Sequence, residues 1–143
     1  MKSTLKEALK SAMKAQDRLR METIRALLTE IQYEEMNRSV TELPANDCSV
    51  VLQREVKKRQ EAIGFEEQAG RADAKAKLTA EIAIIEEFMP KQMTAAELEA
   101  ALVEYKTSTP GAVMGTAMKF LKERFAGQYD GKSASEIAKK VFG

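Results

Sequence analysis

The sequence predicts an all-α chain in two helical subdomains. An N-terminal antiparallel bundle of about four helices takes residues 1–90, and a C-terminal bundle of three to four short helices takes 91–143. Three observations predict this. Leu, Ala, Met, Lys and Glu dominate, with few aromatics and no Trp, a mixture that favours helices. Apolar residues recur at helical period, and no stretch alternates as a half-buried strand would. Pro90 stops one apolar stripe and Thr94-Ala95-Ala96-Glu97 opens the next with a capping box, which puts the subdomain boundary within residues 89–93.

The first helix is expected over 2–15. Leu5, Leu9 and Met13 step by four along one side, and Lys2, Lys6, Lys10 and Lys14 step by four along another, reading as a solvated face. Asp17 is placed to cap a second helix over 18–37, with Met21, Ile24, Leu28 and Ile31 as its stripe. The loop is expected at 41–47. A third helix then runs over 48–69 on Val51, Leu52, Val56, Ile63 and Ala69, and Gly70 ends it. Leu78, Ile82, Ile85 and Met89 mark a fourth helix over 72–89, with the cleanest period in the chain.

Beyond Pro90 the fifth helix spans 95–106. Ser108-Thr109-Pro110-Gly111 reads as a turn, or as a cap with proline in the first helical turn. Met114, Met118, Leu121 and Phe125 form the next stripe. Gly115 is expected where another backbone comes close. Ser133-Ala134-Ser135-Glu136 reads as a capping box with Ser133 at its head, opening a last helix whose apolar edge is Ile137 and Val141.

The net charge of +1 selects no class of partner. The distribution is more informative. Residues 1–90 hold 15 Lys/Arg and 16 Asp/Glu, whereas residues 105–143 hold seven and three. A basic end on a neutral body points to a polyanion. The single cysteine, Cys48, excludes an internal disulfide framework and fits a reducing compartment. No apolar run reaches the roughly 20 residues of a membrane span, and the N-terminus lacks a signal-peptide apolar core, so the expected location is the cytoplasm.

Ala126 to Ser133 fits a loose phosphate-binding loop ending in Gly131-Lys132-Ser133. Such a loop needs a buried strand to deliver the chain into the turn, and the preceding Met118–Phe125 has helical period instead. The expectation is a helix–helix turn made by Gly127 and Gly131, with Lys132 and Lys139 facing away from the apolar edge. The chain has no histidine, so the commonest general base and metal ligand are missing. The acidic pairs Glu34-Glu35, Glu66-Glu67 and Glu86-Glu87 read as solvated faces, since helical neighbours point about 100° apart. No catalytic constellation, metal site or cofactor site is legible.

The order of landmarks is specific. Thr23-Ile24-Arg25-Ala26-Leu27-Leu28, Glu55-Val56-Lys57-Lys58-Arg59-Gln60-Glu61-Ala62-Ile63, Ala69-Gly70-Arg71, Ala80-Glu81-Ile82, Phe88-Met89-Pro90-Lys91-Gln92, Val113-Met114-Gly115 and Asp130-Gly131-Lys132 follow one another along the chain. In this the chain resembles the YqeY-like family of small bacterial proteins, from about residue 5 to 142. The resemblance implies two helical subdomains and kinship with the C-terminal tail of the B subunit of tRNA-dependent amidotransferase, a tail that helps hold tRNA. It also implies the family's filing under carbon–nitrogen ligase activity with glutamine as amido-nitrogen donor. The family's usual Arg-Ala before Asp-Gly-Lys is replaced here by Gln128-Tyr129, so one basic contact of that pattern is absent.

Three readings follow. The first is a non-catalytic accessory protein that binds tRNA beside an aminoacyl-tRNA synthetase or amidotransferase. Its phosphate contacts would be Lys119, Lys122, Arg124, Lys132, Lys139 and Lys140. The second is a helical protein-interaction module with no nucleic-acid role. The third is an enzyme with amidotransferase-type chemistry.

Overall fold

The computed structural model describes residues 1–143 and is all-helical, with seven helices and no strand. The helices are α1 (Lys2–Lys14), α2 (Arg18–Arg38), α3 (Ala45–Gln68), α4 (Ala72–Glu86), α5 (Ala95–Ser108), α6 (Met114–Arg124) and α7 (Gly131–Phe142). The chain divides into two compact units, Met1–Met89 and Pro90–Gly143, each with its own core. No helix is long and apolar enough to cross a membrane.

In the first unit, short connections make α1 and α2, and α3 and α4, antiparallel neighbours. Asp17 caps α2 as expected, its side chain accepting from the Arg20 N–H at 3.1 Å. Gly70, with φ of 69°, closes α3. The core is Leu5, Ile24, Leu27, Ile31, Leu43, Val51, Leu52, Val56 and Ile85, with Cys48 among them. The stripe of α4 is shallower than its period suggests. Only Ile85 is fully buried, while Leu78 and Ile82 are half-exposed.

Several local expectations give way to the tertiary structure. α3 begins at Ala45, inside the expected loop, because Pro44 takes the extended N-cap position and Asp47 places its charge in the first turn. Ile63 is half-buried and Ala69 exposed, so the far half of α3 contributes little to the core. The acidic pair Glu34-Glu35 is not a solvated face. Glu35 is 5 % exposed, and it accepts from Lys2 Nζ at 3.1 Å through both oxygens and from the Leu43 N–H at 2.8 Å. Lys2 thereby leaves the solvated lysine row. The Leu43 N–H, with help from Lys2, holds the Glu35 carboxyl below its usual value against the opposing effect of burial.

A second buried acid, Glu55, sits 3.2 Å from Lys58 Nζ and 3.6 Å from Arg59 Nη1. Arg59 Nε also lies 3.3 Å from Glu81, joining α3 to α4. These residues belong to two of the sequence landmarks, which act here as a cross-helix charge network.

In the second unit, Leu98, Leu102, Ala117, Leu121, Ala134 and Ala138 form the core. Thr94 caps α5 through the Glu97 N–H at 3.1 Å. Ser108 ends α5, and Thr109–Gly111 is a turn, so Pro110 lies outside α6. Gly115 is exposed, and a Cβ added there would meet nothing within 4 Å. It marks no close backbone approach. The small residues that let helices meet are Ala117, Ala134 and Ala138.

Candidate nucleic-acid interface

The interface candidate is built on α6, the turn after it, and α7. α6 buries Ala117 and Leu121, with Met114, Met118 and Phe125 packed beside them. The segment before the glycine-framed turn is therefore a helix, and the strand–turn–helix setting of a phosphate-binding loop is not formed. Gly127 supplies the left-handed residue of the turn, with φ of 76°. Gly131 is instead the first residue of α7.

Two bonds from the start of the unit hold this turn. Gln92 Nε2 donates to the Gly127 carbonyl at 2.7 Å, and the Met93 N–H donates to the Gln128 carbonyl at 2.7 Å. The Pro-Lys-Gln landmark thus supports the turn that precedes Asp-Gly-Lys.

The cap of α7 corrects the expectation for Ser133. Asp130 is the N-cap, accepting from the Ser133 N–H at 3.1 Å and from the Ser133 hydroxyl at 3.0 Å. A carboxylate at this end of a helix also meets the positive pole of the dipole, an advantage a hydroxyl lacks. One of the three acids in residues 105–143 is consequently committed to the helix end.

All six sequence-predicted cations are exposed. On α7 the deepest residues are Ala134 and Ala138, with Ile137 and Val141 half-buried beside them. Lys132 and Lys139 lie about 20° apart on the opposite side of the helix, at about 100° per residue. Glu136 lies on the same side, about 40° from Lys132 and about 60° from Lys139. Lys140 is on the flank and pairs loosely with Glu99 at 3.5 Å. On α6, Lys119 and Lys122 share the outward face, about 60° apart, while Arg124 points about 140° away from Lys119. The α6 cations therefore do not form a single row.

Two residues that look available are committed. Lys106 Nζ donates to the Val141 carbonyl at 2.9 Å and lies 5.7 Å from the Phe142 ring centroid, where it serves the end of α7. Tyr129 is half-buried against the core, and burial pushes its hydroxyl pKa up. It packs rather than offering a free ring for stacking.

Elsewhere the chemistry is structural. A cleft of about 470 Å³ is lined by residues of α2 and α3, among them Tyr33, Glu34, Arg54 and Glu55. Arg38 and then Arg54 hold the Glu34 carboxyl below its usual value. Cys48 is buried, its thiol donates to the Leu43 carbonyl at 3.5 Å, and burial pushes its pKa up, the opposite of what a thiolate nucleophile needs. No group of three or more His, Cys, Asp or Glu is placed to hold a metal ion.

No curated protein matches the chain in a sequence search. The family described as Yqey-like protein does match, over residues 2–142, which takes in both units and every landmark discussed above. The chain belongs to the YqeY-like family.

Proposed function

We propose that this YqeY-like chain is a non-catalytic accessory protein that binds tRNA through its C-terminal unit, beside an aminoacyl-tRNA synthetase or a tRNA-dependent amidotransferase. Amide transfer, the carbon–nitrogen ligase chemistry associated with such systems, belongs in this reading to the partner enzyme. One observation carries the proposal. Of Lys119, Lys122, Arg124, Lys132, Lys139 and Lys140, all exposed, only Lys140 has a carboxylate partner. The surrounding stretch has three acids, and Asp130 is spent on its helix cap. Unneutralised cations gain from releasing the counterions of a phosphate backbone, and they position RNA without reading its sequence.

Replacing Lys132, Lys139 and Lys140 together with Ala tests this. Filter binding with unfractionated tRNA should show weaker binding and a salt slope lower by about one unit per lost phosphate contact. The Lys140–Glu99 pair is exposed on both sides, so its loss should leave stability within about 0.5 kcal/mol. An unchanged affinity and slope would remove the reading. The protein-interaction reading would then lead, favoured by Tyr33, Met36 and Phe65, which are 62 %, 77 % and 71 % exposed in the first unit.

A further inference from the structure

Outside α1 the first unit carries a net negative charge. Residues 15–89 contain 11 Lys/Arg and 15 Asp/Glu, while residues 2–14 contain four lysines and one glutamate. The 11 cations are largely neutralised, since Arg18, Arg20, Arg38, Arg54, Lys58, Arg59, Arg71 and Lys75 all sit in ion pairs. On α1 the situation is reversed. Lys2 turns in to Glu35, but Lys6, Lys10 and Lys14 are exposed and make no ion pair or hydrogen bond.

Their arrangement follows from helix geometry. The three residues step by four, so they rise about 6 Å per step and span about 12 Å. They occupy about 80° of the circumference. Leu5 and Ala12, buried in the core, anchor the other side of the helix. Glu7 is the one acid on α1, and it lies outside ion-pair distance of all three lysines. The result is a row of ammonium groups that winds slowly around one side of a helix anchored in the core.

We propose that the Lys6–Lys10–Lys14 row on α1 is a second phosphodiester-backbone surface, separate from the cations of the second unit. The inference takes its ligand class from the function proposed above but rests on different residues. Lysine acts here as a point charge, so this contact is independent of base sequence. An anionic membrane is the less fitting occupant. A helix that lies on lipid buries its apolar face there, and Leu5 and Ala12 of α1 are already in the protein core.

The test uses the full chain with Lys6→Gln, Lys10→Gln and Lys14→Gln combined, a matching Lys→Arg triple, and the Lys132/Lys139/Lys140 triple. Each is titrated with unfractionated tRNA across a salt series, with vesicles of phosphatidylserine and phosphatidylcholine as a parallel arm. The Gln triple should bind tRNA at least tenfold more weakly at low salt. Its salt slope should fall by about two to three, at roughly 0.7–0.9 per lost phosphate contact, the range from single strands to B-form duplex. Its thermal unfolding should match the parent, and the Arg triple should retain binding. A Gln triple that binds like the parent overturns the inference. The function proposed above then survives if the second-unit triple loses binding. Loss in the α1 triple alone upholds the row and moves the main RNA contact out of the second unit. A parent chain that does not bind tRNA overturns both. An Arg triple that fails to bind, or a Gln triple that loses vesicle binding while keeping tRNA, also overturns the inference.

Discussion

Gln92 Nε2 donates a hydrogen bond of 2.7 Å to the carbonyl of Gly127, 35 residues further along the chain. The same amide group reaches the Pro90 carbonyl at 3.1 Å, so one side chain ties the start of the second unit to its last turn. Gly127 is buried, and its carbonyl cannot turn to water without moving the turn. Gln92→Leu should therefore destabilise the chain by about 1–2 kcal/mol, the cost of a buried acceptor left unpaired. Gln92→Glu should be at least as harmful, since a carboxylate offers no donor. Urea denaturation followed by helical circular dichroism measures both. A midpoint unchanged in Gln92→Leu would mean the bond adds nothing to stability.

The cap of α7 allows a comparison between two neighbouring residues. Asp130→Ala removes the acceptor of both the Ser133 N–H and the Ser133 hydroxyl, and should cost about 1 kcal/mol. Ser133→Ala removes only an exposed hydroxyl and should stay within about 0.5 kcal/mol. The ranking is the decisive readout. A larger loss for Ser133→Ala would make Ser133 the true cap.

Glu35 makes stability depend on pH. Its carboxyl titrates lower in the folded chain than in the unfolded one, chiefly through the Leu43 N–H, with Lys2 adding to the effect. A depressed folded pKa contributes stability above the unfolded value, and that contribution is lost as pH falls through the folded value. Glu35→Gln should thus be less stable than the parent at neutral pH. The difference should narrow as pH drops through and below the ordinary glutamate range. Urea midpoints between pH 7 and pH 3 give the comparison, and a difference that stays constant with pH would show that the ionised carboxylate is not what stabilises this contact.

Arg59 and Glu81 should be energetically coupled. Their side chains are 15 % and 16 % exposed and 3.3 Å apart, and Arg59 also serves the Glu55 carboxylate and carbonyl. Arg59→Met should cost about 2–4 kcal/mol, because buried Glu55 would lose its largely buried cationic partner and keep only the exposed Lys58. A double-mutant cycle of Arg59→Met with Glu81→Gln should return a coupling of about 0.5–2 kcal/mol. Additive effects would show that Arg59 acts through Glu55 alone.

Much of the architecture depends on neighbours within one or two helical turns, and that part was legible in the sequence. The stripe of Ile24 and Ile31, the cap at Asp17, the stop at Gly70 and the restart at Thr94 all act over distances of three or four residues. The outward direction of Lys132 and Lys139 follows from the same local period. Where two local signals competed, the sequence did not choose. Asp130 and Ser133 are both good caps three residues apart, and the position where Gly127 releases the chain decided for Asp130. Whether a charge is available at all was beyond local reading. Lys2 and Lys6 look alike in sequence, yet Lys2 is held by Glu35, 33 residues away, while Lys6 remains exposed. Glu34-Glu35 and Glu86-Glu87 look alike too, yet only Glu35 among them is buried. Helix period depends on backbone geometry that each residue carries with it, whereas the fate of a charge depends on which distant group the fold brings within hydrogen-bond reach.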